Sequence, residues 1–153
     1  MPSSDDLQQL YQEVILEHYG HPHNKETLDQ ADVGVEMYNP SCGDTIVLQL
    51  KFDEEGRIDK IAFNGEGCSI SQSSVSMMTD LLKGKSIEEA RRIEAVFRSM
   101  MRGESGIDET LLGDLVALQG VARFPVRIKC ATLGWNALDR ALALAESGGG
   151  EKR

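Results

Sequence analysis

Nowhere in the sequence do apolar residues run to the ~20 that a bilayer-spanning helix needs, so no transmembrane segment is expected. Positive charge is short: 16 Lys and Arg stand against 25 Asp and Glu, a net −9. Such a surface repels phosphate backbones, which argues against nucleic acid as a partner unless a local basic patch intervenes. Cysteine is scarce and odd in number, at three. A disulfide-stapled secreted domain wants more, and an even count. Residues Met1 to Asp6 are polar and acidic, unlike a signal peptide. The setting implied is a reducing cytosol, and the three thiols need another explanation. No internal repeat or low-complexity block interrupts the chain. The one linker-like stretch, Ser147 to Arg153, reads as a flexible tail behind a single domain over 1–146.

What remains is a globular composition. The 153 residues are 41% apolar and 27% charged, and a chain of this length buries roughly 70% of its unfolded surface. After Ser4, residues Tyr11, Val14, Ile15 and His18 keep helical spacing with Leu7 and Leu10. Asp5 and Asp6 complement the dipole in the first turn, and Gly20 and Pro22 mark the end. The period then changes to two. Ile46, Leu48, Leu50 and Phe52 share one face of a strand over Thr45 to Phe52. Asp53 to Gly56 reads as a turn, Arg57 to Asn64 as the returning strand, and Val33 to Asn39 as a weaker third.

From Ser69 the pattern is helical as far as Gly84, and Ser86 to Glu89 forms a capping box for the next helix. A short helix is predicted over Leu111 to Gln119. The last helix carries Ile128, Ala131, Trp135, Leu138, Leu142 and Ala145 on one stripe. The predicted fold is therefore α+β: a small antiparallel sheet of about three strands, packed against an N-terminal helix and several C-terminal helices.

Cys42, Cys68 and Cys130 stand where regular structure yields to a loop or a helix begins. Free cysteines are usually small buried apolar residues. Cys42 fits that less well, because Pro40, Ser41 and Gly43 are turn formers and turns lie at the surface. Asp44 follows it by two positions across Gly43, so a tight turn can aim both side chains at one point. Asp44 also reads as an ordinary Asx-turn residue. Three thiolates and a carboxylate make a tetrahedral donor set suited to zinc, yet the gap from Cys68 to Cys130 lies far outside zinc-finger spacings. Spacing alone leaves both readings open.

Three motifs, in order, carry a resemblance: Cys42-Gly43-Asp44, Gly67-Cys68-Ser69-Ile70-Ser71, and Arg127-Ile128-Lys129-Cys130. With the opening Leu10-Tyr11 through His18-Tyr19-Gly20-His21-Pro22-His23-Asn24, they resemble the U-type iron–sulfur assembly proteins from about residue 7 to residue 145. His23 stands where that family's turn carries arginine. The scaffold branch, IscU, has histidine before the third cysteine and a Leu-Pro-Pro-Val-Lys segment upstream. Here Lys129 precedes Cys130, the segment reads Phe124-Pro125-Val126-Arg127, and the helical stretch between Cys68 and Cys130 is extended. These departures resemble the SufU branch.

That resemblance implies a zinc ion held by Cys42, Asp44, Cys68 and Cys130. It also implies sulfur transfer from the persulfide of a SufS-like, pyridoxal-phosphate-dependent cysteine desulfurase to Cys42, for delivery to a downstream iron–sulfur scaffold. A desulfurase histidine is expected to take the place of Cys42 on zinc and free its thiolate. Such a site carries net negative formal charge. Arg127 is the expected catalytic cation, although Arg127 and Lys129 also read as solvated charges at a helix start. The alternatives are a scaffold assembling a [2Fe–2S] cluster on the same ligands, and a zinc domain that only docks. His18, His21 and His23 suggest either a second metal site or, more simply, a helix C-terminus and its turn. Met77, Met78, Met100 and Met101, with Tyr11 and Trp135, are predicted core residues.

Overall fold

The computed structural model of the chain describes residues 4–147, so the predicted tail lies outside the described residues beyond Ser147. Helix α1 (Ser4–Gly20) leads into strands β1 (Val33–Asn39), β2 (Asp44–Phe52) and β3 (Ile58–Glu66). Helices α2 (Ser69–Leu82), α3 (Ile87–Met101) and α4 (Pro125–Glu146) come after them. The strands form one antiparallel sheet in the order β1-β2-β3, with Asn39 opposite Asp44 and Leu48 between Val35 and Phe63. This is the predicted α+β architecture.

Alternation places Ile46, Leu48 and Leu50 on the buried face with Val33, Val35, Ile61 and Phe63. The period assigns Phe52 to the same face, but the ladder slips between Lys51 and Phe52 and leaves that ring half-buried. Helix α4 lies across β1 and β2, α2 covers β3, and α1 packs on α2. Among the described residues no helix is long and apolar enough to cross a membrane.

The helix starts obey the local chemistry. The Ser86 side chain accepts from the Glu89 amide while the Glu89 carboxylate accepts the Ser86 amide, completing the capping box of α3. Pro125 occupies the first turn of α4, where its missing N–H has no intrahelical acceptor to lose. The helix predicted over Leu111 to Gln119 is wound instead as 3₁₀ turns, Glu109–Leu111 and Gly113–Arg123. The buried side chains explain the difference. Leu112, Leu115, Leu118 and Val121 recur every third residue, the period of a 3₁₀ coil rather than an α-helix.

Trp135 is fully buried and stacks on Phe97 with ring centroids 4.7 Å apart, and the four predicted methionines are also in the core. Tyr11 departs from expectation: it is half-buried and lines a groove of about 620 Å³ beside α4.

Two contacts draw α2 and α4 together, and so set the separation of the cysteines that stand near the starts of these helices. The Ser74 hydroxyl donates to the Ala131 carbonyl at 2.7 Å. Gly134 faces Val75 so closely that a Cβ there would stand 3.0 Å from the valine side chain. Gly134→Val therefore overpacks this crossing and should cost about 1–3 kcal/mol of stability, read as a lowered urea midpoint with an unchanged denaturant slope.

Candidate metal centre

Cys42 lies in the four-residue connection between β1 and β2. Its amide and that of Gly43 both donate to the Asn39 carbonyl, at 3.3 and 2.9 Å. Gly43 has φ +69°, a left-handed conformation that glycine enters without Cβ strain. The Asx turn here belongs to Asn39, whose Oδ1 accepts the Ser41 amide at 3.2 Å. Asp44, the first residue of β2, is fully buried, and its carboxylate meets the start of α2. Its Oδ1 accepts the Cys68 amide at 2.8 Å and its Oδ2 lies 3.9 Å from the Cys68 sulfur.

Cys68 is the N-cap of α2, with its sulfur accepting the Ser71 amide at 3.5 Å. That is the helix-start environment predicted for it. Cys130 differs. It sits in the second turn of α4, fully buried, with its thiol 4.0 Å from the Val126 carbonyl rather than facing free helix amides. Burial, and after it the contacts with the sulfurs of Cys42 and Cys68, push the Cys130 thiol well above the ordinary cysteine range.

These elements bring the predicted residues together. Ligand atoms of Cys42, Asp44 and Cys130 all lie within 4.8 Å of one another, and the Cys42 and Cys130 sulfurs are 3.0 Å apart without a disulfide. Cys68 joins the group through Asp44. No Lys or Arg pairs with this cluster among the described residues. Up to four anionic groups thus crowd one partly dry locus with no protein cation between them, which is the environment a divalent ion compensates. Three sulfurs and one carboxylate suit tetrahedral zinc in hardness and number. The residues fit the metal.

Arg127 lies one turn before Cys130 but does not reach the cluster by any hydrogen bond or ion pair among the described residues. Half-buried, it forms part of the groove wall with Ser69, Ile70 and Phe124. Among the described residues the histidines join no metal-type group. His18 is buried between Ser76 and Asp114, at 2.8 and 3.3 Å, His23 bonds Asp80, and His21 is exposed beside Glu17. They are end-of-helix and turn residues, and His18 also ties α1 to α2.

Two contributors carried no decisive sequence signal. Asn39 is buried, and its carboxamide nitrogen approaches the Cys130 sulfur at 3.9 Å. Gly67 is tighter still: a Cβ there would stand 2.2 Å from Asp44 Oδ1 and 2.8 Å from Ser71 Oγ. Gly67→Ala should displace the carboxylate from the Cys68 amide. The loss of that charge-assisted bond is expected to lower stability by about 1.5–3 kcal/mol in denaturant unfolding.

Comparison with known proteins identifies the family. The profile described as the NifU-like N terminal domain matches residues 10–131. A zinc-dependent sulfurtransferase SufU from Bacillus subtilis (strain 168) is 48% identical over 97% of this chain and 99% of its own. An iron–sulfur cluster assembly scaffold protein IscU from Streptococcus pyogenes serotype M1 is 47% identical over 89% of this chain and 84% of its own. Among solved structures, a protein assigned as an iron–sulfur cluster assembly scaffold of the SUF system, from Fervidobacterium islandicum AW-1, superposes with TM-score 0.81 at 32% identity. That match covers 88% of this chain and 98% of the other. The N-terminal part of a NifU-like protein from Brucella abortus shares the fold at TM-score 0.82 and 21% identity, covering 92% and 97%. With its motifs, fold and cysteine geometry in agreement, the chain belongs to the NifU-like N-terminal domain family, on the side of it that includes SufU.

Proposed function

We propose that the protein is a sulfur acceptor and carrier in iron–sulfur cluster biogenesis, with zinc held by Cys42, Asp44, Cys68 and Cys130. It takes persulfide sulfur from a SufS-like cysteine desulfurase on to Cys42, raises that enzyme's turnover, and passes the sulfur to a downstream scaffold in the cytoplasm. The observation that carries this reading is the gathering of Cys42, Asp44 and Cys130 within 4.8 Å, with Cys68 beside them, in a chain 48% identical to a protein named a zinc-dependent sulfurtransferase.

When bound, zinc would keep the thiolates deprotonated and add its binding energy to the fold. The chain's own residues supply the rest. Cys42 sits on a short turn and is half-exposed, whereas Cys68 caps α2 and Cys130 is buried within α4. Of the three, Cys42 can approach a partner with least disturbance of regular structure. Its thiolate attacks the outer sulfur of the partner's cysteine persulfide. A bond forms from Cys42 Sγ to that sulfur, the partner's S–S bond breaks, and the electron pair leaves with the partner's thiolate. Arg127, half-buried in the groove wall and unpaired within the described residues, offers a guanidinium for the anionic persulfide as it arrives. Asp44 is positioned by the Cys68 amide and keeps the two segments in register.

The scaffold reading, a [2Fe–2S] cluster built on the same four residues, is favoured by the 47% identity to the Streptococcus pyogenes protein. Metal analysis separates the two. Protein purified without added metal should carry about one tightly bound zinc per chain, as one structural-type site holds one ion, and should show no visible-range absorption. A coloured, iron-containing protein would favour the scaffold.

A coupled desulfurase assay then tests sulfur transfer. Cys42→Ala should abolish stimulation while the chain stays folded. Arg127→Ala should weaken stimulation, and Arg127→Lys should restore it only in part, because an ammonium lacks the planar fork. Full stimulation by Cys42→Ala would refute the assignment of the acceptor.

A further inference from the structure

The three sulfurs do not receive the same hydrogen bonds. Cys68 Sγ accepts a backbone N–H from Ser71 at 3.5 Å. Cys130 Sγ accepts the Asn39 carboxamide Nδ2–H at 3.9 Å and reaches the Val126 carbonyl at 4.0 Å. Among the described residues, Cys42 Sγ accepts no N–H at all, and its contact is with the Cys130 sulfur at 3.0 Å. The orientation of the Asn39 amide is set by the network, since its Oδ1 takes the Ser41 N–H and its nitrogen therefore faces Cys130. The same residue's carbonyl accepts the amides of Cys42 and Gly43. Asn39 is thus bonded to both ends of the pair: to the backbone that presents Cys42 and to the sulfur of Cys130.

That pairing has a chemical hazard. Once Cys42 carries an extra sulfur, Cys130 is near enough to attack Cys42 Sγ. A Cys42–Cys130 disulfide would form and the bond from Cys42 Sγ to the outer sulfur would break. The outer sulfur would leave with the electron pair and its own proton, as hydrosulfide. It is reduced as the two cysteines are oxidised, so no outside reagent is needed, and the carried sulfur is lost. Cys130 attacks as the thiolate that a bound metal would leave it, and an N–H donated to a thiolate withdraws electron density and lowers its intrinsic nucleophilicity.

We propose that Asn39 is a positioning residue that makes Cys42 the durable sulfur acceptor, by holding the Cys130 sulfur in an N–H···S bond and keeping it from discharging the Cys42 persulfide. This rests on the sulfur-carrier reading but concerns the fate of the sulfur after it arrives.

The test uses the full chain, as purified, with glutathione persulfide as the sulfur donor and no desulfurase present. Free sulfide, and the loss of two hydrogens in the intact mass that marks an internal disulfide, are followed with time. Peptide mapping under non-reducing conditions identifies the cysteines joined. The wild type should hold the sulfur on Cys42. Asn39→Leu, which matches the side chain's size but cannot donate, should release sulfide and form the Cys42–Cys130 disulfide at least several-fold faster.

Fluorescence of the buried Trp135 and the bound-metal content monitor the fold. Should Asn39→Leu unfold, Asn39→Asp preserves the shape and the acceptor for Ser41 but not the donor, and the same acceleration is expected. Equal persistence of the persulfide in wild type and a folded variant overturns the role of Asn39 alone. Wild-type protein that takes no sulfur from a desulfurase overturns the carrier reading instead, whatever the donor experiment shows.

Discussion

One hydrogen bond joins the two halves of the candidate centre: the Asp44 carboxylate accepting the Cys68 amide at 2.8 Å. Asp44 belongs to the start of β2 and Cys68 to the cap of α2, segments that meet only after the sheet has formed. The bond engages one free amide at the N-terminus of α2, where a negative charge is also favoured by the helix dipole. It stands only because Gly67 carries no side chain, since a methyl group there would occupy the carboxylate's place. Cys42 is then placed by its own turn, and Cys130 by the crossing of α2 and α4, where Gly134 and Ser74 let the helices approach closely.

Electrostatics sharpens the point. A buried carboxylate beside three sulfurs is an expensive arrangement for a folded chain, and among the described residues no side-chain cation relieves it. The upward push on the Cys130 thiol is the response of one member to that crowding, driven first by burial. A divalent ion reverses this logic, because it favours the deprotonated thiol and offsets the desolvation. Stability and chemistry are therefore coupled at this site: the residues whose side chains could hold an ion are also the ones that tie sheet, α2 and α4 together.

Much of the fold was legible because burial tracks period. Alternation in β2 and the stripe on α4 each describe one buried face, and the capping box at Ser86 and the glycine-bounded turns are local chemistry. The misreadings arose where two periods compete or where an element's surroundings decide. Leucines every third residue at 112, 115 and 118 resemble part of a helical stripe, yet they specify 3₁₀ turns once packed. Tyr11 has a core-like place in its helix pattern but borders a groove, because nothing in that pattern says which neighbour closes over it. Asp44 reads equally well as a turn residue, and the turn bond in fact goes to Asn39.

The sequence by itself determined the chemistry at hand: three thiols, an acid two positions past the first, glycines beside two of the cysteines, and an excess of acidic residues. It also determined the local starts of α2 and α3, where Cys68 and Ser86 accept amides within one turn. Tertiary structure alone decided that Cys130, 88 positions after Cys42, comes to rest 3.0 Å from it. It likewise decided that an asparagine would be bonded to both members of that pair and that Arg127 would face the groove instead of the sulfurs. The reason is that such meetings depend on the register of the sheet and the distance between two helices, and both are set by how the whole core packs rather than by any short stretch of chain.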